Sequence, residues 1–189
     1  MSQREIEIKL RIQSAQATKK QLRQLGFRQL HRRSFEDNLL FDTGAQTLRR
    51  ARCLLRLRHY GSRWVLTYKG PPAKDRFFKS RLELETEVIT PEELQANFEQ
   101  LGLHPVFRYQ KYRTPYHHDG SGSPLEAAVD ETPIGNFLEL EGSRTVIDRT
   151  ARQLGFSRKD YCTASYGSLY LEHCRQKGIS PKDMIFLQE

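Results

Sequence analysis

Charge alternates with oil over six residues, Glu5-Ile6-Glu7-Ile8-Lys9-Leu10, and no other stretch constrains this chain as tightly. In an extended chain successive side chains point to opposite faces, so Glu5, Glu7 and Lys9 share one face and Ile6, Ile8 and Leu10 the other. One such strand, taken alone, reads better as an ordinary half-buried strand with its charges in water. Repetition argues against that reading. Glu83-Leu84-Glu85 and Glu139-Leu140-Glu141 carry the same pattern, and Leu55-Arg56-Leu57-Arg58 carries it with the sign reversed. Four such strands suggest charged faces that look at each other across a shared space.

A chain of 189 residues implies one domain, spanning 1–189, with a real core. At 37% hydrophobic and 29% charged it is polar without being a disordered composition. The net charge of +8, from 31 basic and 23 acidic side chains, suits phosphate-rich partners, although a basic protein need not bind any anion. Cys53, Cys162 and Cys174 are odd in number and lack metal-ligand spacing, which reads as reduced thiols in a cytoplasmic protein. No apolar signal segment opens the chain, and no stretch is long enough to span a membrane.

Residues 4–12 are the first expected strand. Ser14 caps a helix that Gly26 stops. Phe35 to Asp42 is extended, and Thr47 to Arg52 is a basic turn. Cys53–Tyr60 and Arg63–Lys69 flank Gly61-Ser62, a hairpin signal. Residues 70–75 form a loop, and strand 77–89 follows. Thr90-Pro91-Glu92-Glu93 starts a helix, with Thr90 as cap, Pro at the first position and acids near the positive dipole end. Strands follow at 105–116, 125–130 and 137–142, with a turn from Asp119 to Ser123. A helix begins near Thr145, and another runs from about Arg158 to Arg175. Gln24-Leu25-Gly26, Gln100-Leu101-Gly102 and Gln153-Leu154-Gly155 each close a helix that follows a Glu-x-Glu strand. About eight strands with helices between some of them predict an α+β fold, an eight-stranded antiparallel β-barrel with helices packed outside.

An inward charged face needs partners, because an uncompensated buried carboxylate costs more than a fold can spare. Alternation puts Glu5, Glu7, Glu83, Glu85, Asp130, Glu139 and Glu141 inside. The basic set inside is Lys9, Arg56, Arg58, Lys69, Arg81, Lys111 and Arg113. The two sets nearly balance, so a ligand there should be nearly neutral overall, as a triphosphate with two divalent cations is. Mg²⁺ and Mn²⁺ prefer the oxygen ligands that Glu pairs supply. Arg forks and Lys point charges suit phosphate oxygens. There is no P-loop and no Gly-rich dinucleotide turn, so side chains must hold any phosphate. Ser165 lacks a nucleophile-elbow context, and His117-His118 read as solvated.

These residues resemble a known family. Glu5-x-Glu7-x-Lys9 is similar to the signature of the CYTH superfamily, the triphosphate tunnel metalloenzymes. Leu55-Arg56-Leu57-Arg58, Thr67-Tyr68-Lys69-Gly70, Arg81-Leu82-Glu83-Leu84-Glu85, Lys111-Tyr112-Arg113 and the run Asp130 to Glu141 support it in order, and Ser165-Tyr166-x-x-Leu169 resembles the family's C-terminal helix motif. The resemblance implies a tunnel that binds a triphosphate and a divalent metal, Mg²⁺ or Mn²⁺. By it, Glu5, Glu7, Glu139 and Glu141, with Asp130, would hold metal, and Glu83 and Glu85 would hold metal or orient basic residues. Lys9, Arg56, Arg58, Lys69, Lys111 and Arg113 would hold phosphates, with Arg81 on the same inward face. Lys9, Glu7 and Glu139 would carry the catalysis, Lys9 as a base. Lys159 is the nearest candidate for a further Lys that some members place at the tunnel mouth.

The first expectation is metal-dependent hydrolysis of a triphosphate, whether inorganic tripolyphosphate, thiamine triphosphate or a nucleoside triphosphate. The second is a class IV adenylyl cyclase that converts ATP to cyclic AMP and pyrophosphate. The third is a non-catalytic module for polyphosphate or RNA ends, using Arg32-Arg33 and Arg49-Arg50-x-Arg52. The partner is then a small triphosphate, with nucleic acid at those clusters and a homodimer as further alternatives.

Overall fold

The alternating segments form strands, and the strands close on themselves. The computed structural model describes residues 3–120 and 123–187. The chain runs β1 (Gln3–Ile12), α1 (Ala15–Gln24), β2 (Arg28–Gln29), β3 (Ser34–Thr43), α2 (Thr47–Arg50), β4 (Leu54–Tyr60) and β5 (Arg63–Lys69). It continues through β6 (Lys79–Val88), α3 (Pro91–Gln100), β7 (Leu103–His118), β8 (Leu125–Thr132), β9 (Gly135–Gly142), α4 (Arg144–Gln153), a 3-10 turn (Arg158–Asp160) and α5 (Tyr166–Lys177). The sheet order is β2-β7-β3-β4-β5-β6-β1-β9-β8, and β7 also pairs with β8. Eight antiparallel strands therefore close a barrel, while the two-residue β2 pairs only with the far end of β7, beyond β3.

Alternation then sorts side chains between lumen and exterior. The outward Ile8, Leu10, Leu138 and Leu140 are fully buried against Leu22 of α1 and Ile147 of α4. Outward Phe41 and Leu57 pack with Phe98 of α3 on another flank. The pairing of β3 with β7 shifts between Leu40 and Phe41, where Val106 of β7 is left without a partner, while β3 itself keeps its alternation, with Leu40 toward the lumen and Leu39 and Phe41 in that outer cluster. The helices thus coat the apolar outside, and the charged faces are left to the interior.

Local chemistry accounts for the ends. Ser14 Oγ accepts from the Ala17 N–H and caps α1. Each of α1, α3 and α4 ends on Leu then Gly, and the three glycines take left-handed φ of 88°, 74° and 87°. Gly61 likewise takes a φ of 58° at the β4–β5 turn. Thr90 sits at the N-cap of α3, but its side chain makes no capping bond; Pro91 and the acids Glu92 and Glu93 remain as the start signals. Thr47 to Arg50 is a short helix rather than a shapeless turn. The single helix expected from Arg158 is broken. Asp160 and Ser157 form a capping box around the 3-10 turn, and Cys162 then joins Lys9 in an antiparallel bridge, so the helix restarts only at Tyr166. The expected turn from Asp119 to Ser123 includes residues 121 and 122, which lie outside the described residues.

Candidate active site

The inward faces enclose a cavity of about 240 Å³, room for on the order of eight waters at roughly 30 Å³ each. Among the described residues, eight cationic and seven acidic side chains reach its surface. The lumen is therefore close to neutral, which is how so many charges stay inside a small barrel.

One wall is cationic. Arg56 and Arg58 on β4 face Lys111 and Arg113 on β7 across β3. Asp130 of β8 anchors the second pair. Its carboxylate accepts from Lys111 Nζ at 2.8 Å, from Arg113 Nε and Nη2 at 2.7 Å, and from the Tyr166 hydroxyl at 2.6 Å. Arg113 also pairs with Glu139. Glu36 of β3, 3% exposed, lies 3.5 Å from Lys111, 3.6 Å from Arg58 and 4.0 Å from Arg113. Burial alone would raise the Glu36 pKa; Lys111, then Arg58 and Arg113, outweigh it and hold the carboxyl at about 2. Arg56 donates to Thr67 at 2.9 Å and Glu85 at 3.2 Å, and its buried Nε has no partner among the described residues. Arg81 on β6 also lines the cavity without an ion pair among the described residues, since Glu83 is taken by Lys69 and Arg56 and Glu7 by Lys79.

The other wall mixes acids and lysines. Glu7 accepts from Lys79 at 2.7 Å and Lys9 at 3.5 Å, and Lys9 reaches Glu139 at 3.0 Å. Lys69 pairs with Glu83 and lies 3.6 Å from Glu5. Burial and the neighbouring Glu83 carboxylate, which accepts the Glu5 proton, push Glu5 up to about 9. Burial and the Glu7 charge raise Glu141 to about 7. In both, burial is the larger cause and the neighbouring acids add to it. Lys9 is the reverse case: burial would lower its pKa, but Glu139 and Glu7 outweigh that and keep it protonated. A lysine held in its charged form has no lone pair with which to serve as the expected base. Burial and Lys9 pull Lys79 down to about 8.

The C-terminal part of the chain closes one end. Cys162 and Lys9 exchange both backbone hydrogen bonds at 2.9 Å. Tyr166 then opens α5, buried against Tyr109 and Phe137, with Lys9 and Lys111 5.2 and 5.1 Å from its ring centroid. Ser165 and Gly167 flank it in the cavity wall. Farther on, Met184, 1% exposed, bonds through its backbone to Gln110 and Arg108 of β7. The opposite end carries the more exposed Glu85 and Glu126.

The barrel thus gathers Glu5, Glu7, Lys9, Arg56, Arg58 and Lys69 with Arg81, Glu83, Glu85, Lys111, Arg113, Glu139 and Glu141 around one space. Asp130 differs from its expected place among the metal ligands. It is fully buried behind the cavity surface, and Lys111, Arg113 and Tyr166 already occupy its oxygens. Lys159 is exposed on the 3-10 turn and does not line the cavity. Arg33 is engaged by Glu131 and stacked 3.4 Å over Tyr112, whereas Arg32, Arg49, Arg50 and Arg52 are exposed. Sequence reasoning missed Lys79, two residues before Arg81 on the same face and legible by extending the alternation. It also missed Glu36, Glu126 and Tyr109, and it named Tyr166 only as part of the C-terminal helix motif.

The CYTH domain family model matches residues 3–166. A Methanocaldococcus jannaschii protein provisionally named an adenylate cyclase is 30% identical over 151 residues, which cover 79% of this chain and 83% of that protein. Among solved structures, a Vibrio parahaemolyticus protein with the same provisional name superposes with a TM-score of 0.76 at 21% identity, covering 89% of this chain and 98% of that one. The PH1819 protein of Pyrococcus horikoshii gives 0.73 at 23% identity, covering 89% and 99%. A Hippeastrum protein gives 0.64 at 21% identity, covering 94% and 97%, and is described as an adenylyl cyclase candidate that reveals a dominant triphosphatase activity.

Proposed function

The chain belongs to the CYTH domain family, and on that premise we propose that it is a divalent-metal-dependent enzyme that hydrolyses a triphosphate inside its barrel. The observation that carries this reading is the confrontation of the two charge sets within one closed lumen. Donors not committed to protein acids, Arg81 and the Arg56 Nε, are the first to take phosphate oxygens, followed by Arg58, Lys111 and Arg113. Asp130 fixes the heads of Lys111 and Arg113 and is a positioning residue.

The acid wall fits Mg²⁺ or Mn²⁺ in its chemistry. Its donors are all carboxylate oxygens, and Glu5, Glu83 and Glu141 are close enough to raise one another's charging cost, which an incoming cation would relieve. Among the described residues no three acidic, His or Cys side chains already converge on one point, a pattern suited to an ion that arrives with phosphate oxygens as part of its shell. Glu5, Glu83 and Glu141, with Glu7 and Glu139 beside them, would hold it. Such an ion supplies Lewis-acid polarisation of a phosphoryl oxygen and a water of lowered pKa. Lys9, held protonated between Glu139 and Glu7, stabilises the charge that builds on the phosphoryl oxygens. The closed floor under Tyr166 limits the free water around the reacting phosphate.

The test is release of phosphate from tripolyphosphate, thiamine triphosphate and ATP with Mg²⁺ or Mn²⁺. No release from any of them by folded protein removes this reading. The relative at 30% identity favours a second one, adenylyl cyclase activity, which would give cyclic AMP and pyrophosphate in place of phosphate. The three unpaired cysteines suit a reducing compartment, the cytoplasm. No helix among the described residues is long and apolar enough to cross a membrane.

A further inference from the structure

Glu36 is the one acid beside the cationic wall that the reading above leaves without a task. We propose that Glu36 is an anionic counterweight that occupies Arg58, Lys111 and Arg113 from behind and so limits how tightly the cavity retains a polyphosphate. The inference rests on the proposed triphosphate site and adds to it a residue that sets affinity.

The two acids behind this wall are built differently. Asp130 is hydrogen-bonded by Lys111, Arg113 and Tyr166 at 2.6 to 2.8 Å. Glu36 faces the same cations at 3.5 to 4.0 Å, and its buried Oε2 makes no hydrogen bond among the described residues. Its hold on them is Coulombic. Register explains the placement: Glu36 stands directly opposite Lys111 on β7, with Arg113 diagonal to it and Arg58 diagonal on β4. Asn38, the next inward residue of β3, accepts from Arg58 Nε at 3.2 Å and keeps that guanidinium turned to the lumen.

A phosphate that enters from the lumen meets cations that are spaced and charged, yet bound to Glu36 by no hydrogen bond that must break. The same carboxylate repels the arriving anion through a poorly screened interior. That repulsion weakens retention of substrate and product, while the uncommitted donors of the cations stay in place to meet the phosphate. A carboxylate whose part was only structural would have the opposite consequence on removal: the cations would lose their order and the anion would bind less well.

The experiment is calorimetric titration with tripolyphosphate, with and without Mg²⁺, of the wild-type chain and Glu36→Gln. Binding about tenfold tighter in Glu36→Gln, with a steeper loss of affinity on adding salt, is expected. Equal or weaker binding in Glu36→Gln, where the wild type binds, overturns the inference and leaves the triphosphate site standing. No binding by either protein, both folded, overturns the two together. Should Glu36→Gln fail to fold, Glu36→Asp carries the test, since it withdraws the charge from the cations by one methylene. Binding tighter than wild type then supports the counterweight, and binding no tighter than wild type overturns it.

Discussion

Changing Asp130 to Asn tests the claim that the cationic wall is held from behind. The carboxylate is fully buried, Lys111 is 2% exposed at its side chain, and Arg113 is 19% exposed. Asn keeps the shape but turns two N–H donors toward groups that are themselves donors. Removing one partner of a buried charge pair costs about 3–5 kcal/mol. Glu36 and Glu139 remain near the two cations and offset part of that, which puts the loss at about 2–4 kcal/mol. For a chain of this size each kcal/mol shifts Tm by roughly 2–4 °C, so a loss of about 3 kcal/mol lowers Tm by roughly 6–12 °C. Calorimetric melting and urea titration measure it. Tyr166→Phe, which removes one hydrogen bond to the same carboxylate, should cost only about 1–2 kcal/mol. If Asp130→Asn melts within about 2 °C of wild type, or if Tyr166→Phe is as damaging, Asp130 is not the anchor described.

Four further outcomes are expected. Glu7→Gln should cut metal-dependent turnover more than tenfold, over about 1.4 kcal/mol in the barrier, with the circular dichroism of the barrel retained; activity within a factor of about two refutes its role. Arg58→Ala should raise KM for tripolyphosphate well beyond its effect on kcat, which steady-state kinetics separates. Chelating divalent ions should abolish phosphate release, and Mg²⁺ or Mn²⁺ should restore it. The pH dependence of metal-free stability follows from Glu5, raised to about 9, and Glu141, raised to about 7. Both hold their proton more tightly folded than unfolded, so the folded state binds more protons between pH 4.5 and those values. Stability therefore falls as pH rises through that window, and Tm measured without metal should decline from pH 5 to 7, below the range in which Lys79, lowered to about 8, opposes the trend. A rising Tm would contradict the assignment.

Period-two alternation made most of the site legible, because the central residues of β1, β4, β6 and β9 carry charge on one face and apolar residues on the other. β3 hid Glu36 for a physical reason: acids stand on both of its faces, Glu36 inward and Asp37 outward to Arg108, so charge does not mark which face is inside. Lys79 escaped because the inward set was begun at Arg81. The broken C-terminal helix was not legible either: residues 158–175 are compatible with helix locally, and what interrupts them is the long-range bridge from Cys162 to Lys9. Asp130 was placed on the correct face, but alternation says nothing about depth, and depth separates an anchor from a ligand.

The floor beneath Tyr166 has a consequence for synthesis. β1 is made first, yet its Lys9 finds the backbone partner Cys162 only after all nine strands have left the ribosome. Until then a barrel that already carries its full complement of lumenal charge lies open at both ends, flooded with water. The newborn chain should close its hoop of strands well before it can hold a phosphate, and a protein arrested short of residue 162 should be folded over much of its sheet and functionally mute.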